Sequence, residues 1–231
     1  MRGRLVVFEG AEGTGKSTQI ALLMGALSAS GIAAVTFREP GGTDTGDAIR
    51  RLLLDPAARI GAAAEAHLFM ASRAELCARE IGPALERGLT VVLDRFFLST
   101  YAYQVVGRGL PEEEIRAANR LATGGLVPDL TLLLDLPAES GLARATARGA
   151  RDRIEQAAGD FHVRVSAAFR GFADPAWVRA HPEAGPIVVV DARGSREEVF
   201  SRVVSVLASR LPGELGVLGG LAAVAGSAQG D

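Results

Sequence analysis

The chain has 231 residues, 48% of them apolar, which is enough for one sizeable domain or at most two small ones. A formal net charge of -2, from 25 Lys and Arg against 27 Asp and Glu, gives no global basic field of the kind that holds nucleic acid, so any anion site is local. The single cysteine, Cys77, excludes an internal disulfide and reads as a small apolar filler; with no membrane-spanning stretch and no signal-peptide pattern, the cytoplasm is the default expectation, with no nucleic-acid or membrane partner.

The first apolar run, "RLVVFE" (4–9), has the β-branched content of a buried strand. "GAEGTGKST" (10–18) follows it and opens a segment of helical spacing (16–29), fitting G-x-x-x-x-G-K-[ST] with Gly10, Gly15, Lys16 and Ser17. Glycines let successive backbone N–H groups surround phosphate oxygens, and the helix N-terminus adds partial positive charge. Gly10, Ala11, Glu12, Gly13, Thr14, Gly15, Lys16, Ser17 and Thr18 are therefore expected to bind a nucleotide triphosphate, with Lys16 on the β and γ phosphates and the Ser17 hydroxyl on Mg2+. A glycine-rich turn could match this pattern by chance, but the required strand-loop-helix context is present.

The second strand, "AAVTFR" (33–38), precedes a long helical segment (62–87), and the third, "LTVVLD" (89–94), runs into Arg95. At a strand end Asp94 can bind Mg2+ directly or through water, and Arg95 can fork onto a phosphate; a structural ion pair is the plainer reading of the dipeptide alone. A helix (111–122), the fourth strand "DLTLLLD" (129–135), a helix (138–147), the fifth strand "PIVVVD" (186–191) and a helix (195–210) complete the pattern. Strand alternating with helix predicts an α/β fold, a three-layer sandwich of the P-loop NTPase type with a five-stranded parallel sheet flanked by helices and ligands at the carboxyl ends of its strands. Four of the five runs end in Glu9, Asp94, Asp135 or Asp191, and Glu39 follows the remaining one. Residues 1–210 read as one domain; 211–231, rich in Gly and Ala, read as a mobile tail, with docking as the other possibility.

No Asn-Lys-x-Asp guanine motif is present, so a GTPase is disfavoured. In order and spacing, "FEGAEGTGKSTQ" (8–19), "REPGGT" (38–43), "AEAHLFMASRAEL" (64–76), "DRFFLSTYAYQ" (94–104), "VPDLTLLLDLP" (127–137) and "RGARDRIEQ" (148–156) resemble the bacterial thymidylate kinases, from about residue 3 to 210. The resemblance implies transfer of the γ-phosphate of ATP to dTMP, giving dTDP and ADP, with Mg2+ at Ser17 and Asp94 and a homodimeric state. It implies that Phe69 stacks on the base and Arg73, four residues on along the same helix face, donates to its O4. Thr100 and Gln104 fall where the family reads the edge of thymine, Tyr103 where it crowds the sugar 2' position, and Ser99 beside them. Glu39 and Arg50 are expected near the acceptor phosphate, and Glu9 either positions the acceptor through the metal shell or caps the phosphate loop. Phe96 departs from the family, which usually has Tyr or His there.

Phosphoryl transfer between two anions asks for positioning and positive charge. Some members of this family carry a catalytic arginine within the loop, where this chain has Gly13. A basic lid is the family's other solution, and Arg148, Arg151 and Arg153 lie in its place, at about 144–158; Arg148 is expected to act on the transferring phosphate, Arg153 to assist and Arg151 to be solvated. Read alone, the cluster is most simply a solvated helix face. Another small P-loop kinase acting on a deoxynucleoside or a different nucleoside monophosphate, and a regulatory nucleotide-binding switch, are the competing readings.

Overall fold

The computed structural model describes residues 2–146, 152–157 and 159–220. Strands β1 (Leu5–Glu9), β2 (Ala34–Arg38), β3 (Thr90–Asp94), β4 (Leu130–Asp135) and β5 (Ile187–Asp191) form one parallel sheet in the order β2-β3-β1-β4-β5. The crossovers carry helices α1 (Lys16–Ala29), α2 (Asp44–Leu54), α3 (Ala62–Leu76), α4 (Gly82–Glu86), α5 (Phe97–Thr100), α6 (Glu112–Thr123), α7 (Ala138–Thr146), α8 (Gly159–Gly171) and α9 (Pro175–Ala180), and α10 (Arg196–Arg210) follows β5. This is the α/β P-loop architecture expected of the sequence.

Side chains alternate across a strand, and the two cores follow from that. Leu5 and Val7 of β1 join Leu93, Leu133, Leu76 and Ile81 on one side of the sheet. Val6 and Phe8 join Val92, Leu132, Leu134, Leu23 and Val203 on the other. The central strands β1, β3 and β4 are buried nearly throughout, whereas β2 and β5 are partly exposed, because an edge strand has a neighbour on one side only. The expectation of five strands buried on both faces therefore holds for the middle three.

The segment read as one helix from 62 to 87 is α3 and α4 joined through a π-helical turn, Cys77–Ile81. A second π-helical stretch, Tyr101–Gly107, continues α5 and carries Tyr103 and Gln104. Widened turns of this kind occur often at functional sites. Helix α2 escaped the sequence reading because its interior holds Gly46; Thr43 nevertheless caps it, its side chain accepting from Gly46 N at 2.9 Å. Helix α8 was also missed, although Phe161, Val165 and Phe169 recur at helical spacing and are buried.

The segment after α10, read as a mobile tail with docking as the other possibility, holds further structure over its first part. A short helix, α11 (Pro212–Leu215), and a 3-10 turn (Gly216–Leu218) pack back on the domain, with Leu211, Leu215 and Leu218 in the core beside α10. Arg4 Nε donates to Glu214 at 2.8 Å and ties this end to the start of β1. Burial of those three leucines explains the ordering, each worth roughly 1.5–3 kcal/mol. Residues 221–231 lie outside the described residues.

Candidate active site

The register of the sheet assembles the site. Phe8 of β1 stands beside Asp94 of β3, so the loop after β1 and the Asp94–Arg95 pair emerge side by side at the carboxyl edge. Gly13 adopts φ 73° and touches the backbone of α7, where a Cβ would collide with the Gly141 carbonyl. At Gly15, φ 90°, nothing stands within 4 Å of a would-be Cβ, so that face of the loop is open to a ligand. Lys16 is buried and curls over the loop, donating to the Gly10 and Ala11 carbonyls, both at 2.9 Å. Burial, with help from the Arg95 charge, pushes its ammonium down to about 7. Thr14 is buried and donates to Ala11 O at 3.0 Å, bracing the loop.

Ser17 Oγ donates to Asp94 Oδ2 at 3.1 Å, while Asp94 Oδ1 is buried without a partner among the described residues. An orphaned carboxylate oxygen beside a hydroxyl suits a hard cation that takes only one or two protein ligands and completes its shell with phosphate and water. No cluster of three or more acidic, His or Cys side chains able to form a full protein cage exists among the described residues. The pair therefore fits Mg2+ and would not fit a closed structural metal site.

Arg95 has φ 72°, the left-handed region that a non-glycine residue rarely occupies. That backbone turns its guanidinium back over the sheet edge, within 3.1 Å of Ser99 Oγ and 5.3 Å from the Tyr103 ring centre. Glu9 is fully buried and holds this turn: it accepts from Phe96 N (2.7 Å), Ser99 N (3.0 Å) and Ser99 Oγ (2.7 Å). Glu9 thus caps the start of α5 instead of capping the phosphate loop, and its carboxylate satisfies N–H groups that the first turn of the helix leaves without an intrahelical partner.

A cavity of about 260 Å³ opens beside the loop, bordered among others by Glu12, Lys16, Arg38, Arg50, Phe69 and Gln104. Half-buried Phe69 turns toward it, and Arg50 is braced by its 2.8 Å bond to the Pro40 carbonyl. Tyr103 donates to Glu12 Oε1 at 3.2 Å, so this loop carboxylate, expected to serve the nucleotide triphosphate, faces the neighbouring cavity. Arg73 is 2% exposed and bonds Glu39 through Nε and Nη2, Thr100 Oγ1 and Asn119 Oδ1 through Nη1, and the Phe96 carbonyl through Nη2. All five guanidinium donors are engaged by protein, so a base oxygen would have to share one of them. The Phe96 ring lies 5.0 Å from the same guanidinium and gives it an apolar, electron-rich face. Burial raises the Glu39 carboxyl above its usual range even against the pull of Arg73.

A second cavity, about 270 Å³, lies on the far side of the loop, bordered by Thr18, Gln19, Arg144, Gly194, Ser195 and Arg196. Gly13 and Gly15 border both cavities, so the phosphate loop is the wall between them.

Of the basic segment, Arg148 and Arg151 lie outside the described residues. Arg153, expected at the phosphates, is turned instead to Leu53 O (2.7 Å) and Glu65 Oε2 (2.7 Å), and its backbone N–H reaches Leu54 O at 3.2 Å. The physical reason is Glu65, a buried carboxylate that must be paired. Arg108 also meets it, at 2.9 Å, and Gln104 at 3.1 Å. Burial alone would raise the Glu65 carboxyl; hydrogen bonds from Arg108 and Arg153 outweigh it and hold the group below its usual range. Asp152 and Ile154 of the segment border the first cavity.

Sequence reasoning missed Glu65, Arg108, Asn119 and Arg38. The available signal was weak: Glu65 and Arg108 are acidic and basic residues in apolar surroundings, but their meeting depends on the π-helical turn. Asn119 comes from α6, which carried no motif.

The profile of the thymidylate kinase family matches residues 8–202. The thymidylate kinase of Synechococcus sp. (strain JA-2-3B'a(2-13)) is 50% identical over 209 residues, covering 90% of this chain and 95% of that protein. That of Rhizorhabdus wittichii is 45% identical over 223 residues (92% and 100%), and that of Deinococcus radiodurans 44% over 209 residues (90% and 98%). A profile spanning the loop, the Asp94–Arg95 turn and the basic segment, together with relatives of this likeness and coverage, leaves one conclusion: the chain belongs to the thymidylate kinase family.

Proposed function

We propose that the chain transfers the γ-phosphate of ATP to dTMP, giving dTDP and ADP, in the cytoplasm and as a homodimer. The observation that carries the reading is the phosphate loop standing as a shared wall between two cavities, which suits transfer between two bound nucleotides and is unneeded in a switch that binds one. ATP would lie with its base toward Arg144 and Arg196 and its phosphates on the loop. The dTMP would occupy the other cavity, its base against Phe69, its edge near Thr100 and Gln104, its sugar over Tyr103 and its phosphate toward Arg95, Arg50 and Arg38. Arg73 then supports the base floor and shares an Nη1 hydrogen with O4.

Lys16 trades its two loop carbonyls for β and γ phosphate oxygens and regains its full charge. Arg95, fixed by Ser99 and the Glu9 cap, offsets the repulsion between acceptor and donor phosphates, and Glu9 acts through that turn without touching substrate. Mg2+ bound by Ser17 and Asp94 would neutralise the developing phosphate charge. The lid spans about 144–158; Arg148 supplies the cation that Gly13 lacks, and Arg153 anchors the lid on Glu65. An arginine at the transferring phosphate is worth about 10³ to 10⁵ in rate.

The test is a panel of dTMP, dUMP, dCMP, dGMP, dAMP and thymidine with ATP and Mg2+. The highest kcat/KM is expected for dTMP. Preference for thymidine or a purine acceptor would replace this reading with another small kinase, and ATP binding without turnover on any acceptor would replace it with a switch.

A further inference from the structure

Glu65 has no part in the transfer itself, yet it sits one helical turn before Phe69 on α3, 1% exposed, with its carboxylate fully engaged. Oε1 accepts from Gln104 Nε2 (3.1 Å) and Arg108 Nε (3.0 Å). Oε2 accepts from Arg108 Nη2 (2.9 Å) and Arg153 Nη2 (2.7 Å). A carboxylate offers about four lone-pair positions, all acceptors, and here each is used.

This settles the orientation of Gln104. An amide has two unlike ends, and only its NH2 can face a carboxylate kept ionised by two arginines. The Gln104 oxygen must then point the other way. Gln104 is 2% exposed and borders the acceptor cavity, and no donor reaches that oxygen among the described residues.

A fixed acceptor oxygen selects the ring edge it meets. Thymine and uracil carry N3–H, a donor; cytosine has a bare N3, an acceptor that would face another acceptor. We infer that Glu65 is a positioning residue that sets pyrimidine selectivity by clamping Gln104 in the one orientation that accepts from N3–H. An amide at position 65 can present either end, so Gln104 becomes free to turn and to offer its NH2 to cytosine. Rejection of a mismatched base by a clamped polar group rests on the cost of burying an unmet acceptor, about tenfold or more in specificity.

The inference rests on Gln104 bordering the acceptor base, and the two can fail separately. The experiment measures kcat/KM for dTMP and dCMP with the unmutated chain, Glu65→Gln, Gln104→Met and the double variant. The ratio of dTMP to dCMP is expected to fall about tenfold or more in each single variant, with no further fall in the double. Equal loss on both substrates in Glu65→Gln, with the ratio shifted only in Gln104→Met, would overturn the clamp and leave the base site standing. An unchanged ratio in Gln104→Met would overturn the base site, and with it the clamp. Should Glu65→Gln fail to fold, hydrogen exchange of the Gln104 side-chain amide in the unmutated chain, assigned by its loss in Gln104→Met, decides: protection supports the clamp, and free exchange overturns it.

Discussion

Replacing Arg73 with Met should cost more stability at neutral pH than at pH 5. The substitution keeps an apolar side chain of similar length but removes every partner of buried Glu39 seen in the structure. Breaking a buried pair from one side costs about 3–5 kcal/mol, because a carboxylate is left uncompensated. Glu39 escapes by taking a proton, and its folded-state pKa, already raised by burial, rises further without Arg73. The sign follows: a carboxyl whose folded pKa lies above the unfolded one loses stability as pH rises from the unfolded value near 4.3. Holding the proton becomes more costly as pH rises above the unfolded value, so the penalty at pH 7.5 exceeds the penalty at pH 5. Urea unfolding of both proteins at the two pH values measures this directly. For a chain of this length the neutral-pH loss corresponds to a Tm shift of about 6–20 °C. A penalty that is the same at both pH values, or below about 1 kcal/mol at pH 7.5, would refute the reasoning.

Lys16 is held down to about 7 by burial and Arg95, so at pH 8 it is mostly neutral before the nucleotide arrives. Binding of ATP with Mg2+ at pH 8 should therefore take up about 0.9 proton, read from calorimetry in buffers of different ionisation enthalpy; uptake near zero would contradict it. Gly13→Ala should lower both stability and kcat/KM for ATP, because the left-handed backbone costs about 1–2 kcal/mol and the Cβ meets the Gly141 carbonyl. For the same reason Gly13→Arg should not restore activity to Arg148→Ala, and recovery above tenfold would show that the loop has room. Asp94→Asn should raise the Mg2+ concentration needed for half-maximal rate by tenfold or more with little change in dTMP KM, since in the proposed reading the orphaned Asp94 oxygen is the one that would hold the metal.

Legibility in the sequence followed the range of the interactions. The strands and the loop were readable because a strand's burial and a glycine's backbone are local properties, visible in "RLVVFE" and "GAEGTGKST". Phe69, Arg73, Thr100, Tyr103 and Gln104 were named through the resemblance to the thymidylate kinases, and the structure gathers them around one cavity. The chemistry of Arg73 was only half readable: its position was evident, its saturation by Glu39, Thr100 and Asn119 was not, since those partners lie 34, 27 and 46 positions away. Arg153 shows the same limit. In the sequence it belonged to a cluster of cations awaiting an anion, and in the fold its anion is Glu65, 88 positions away. For the start of the tail the sequence left a mobile segment and docking both open, because three leucines among small residues show no strong periodicity until α10 provides the surface they cover.

In the proposed reading this chain moves phosphate from ATP to dTMP with an arginine supplied by the lid in place of Gly13. The most direct test is single-turnover transfer of labelled γ-phosphate from ATP to saturating dTMP, compared between the unmutated chain and Arg148→Ala. The account predicts label in dTDP, and a transfer rate lowered about 10³-fold in the variant while dTMP affinity is retained. Label released only as inorganic phosphate, or a variant rate within about threefold of the unmutated chain, would contradict it.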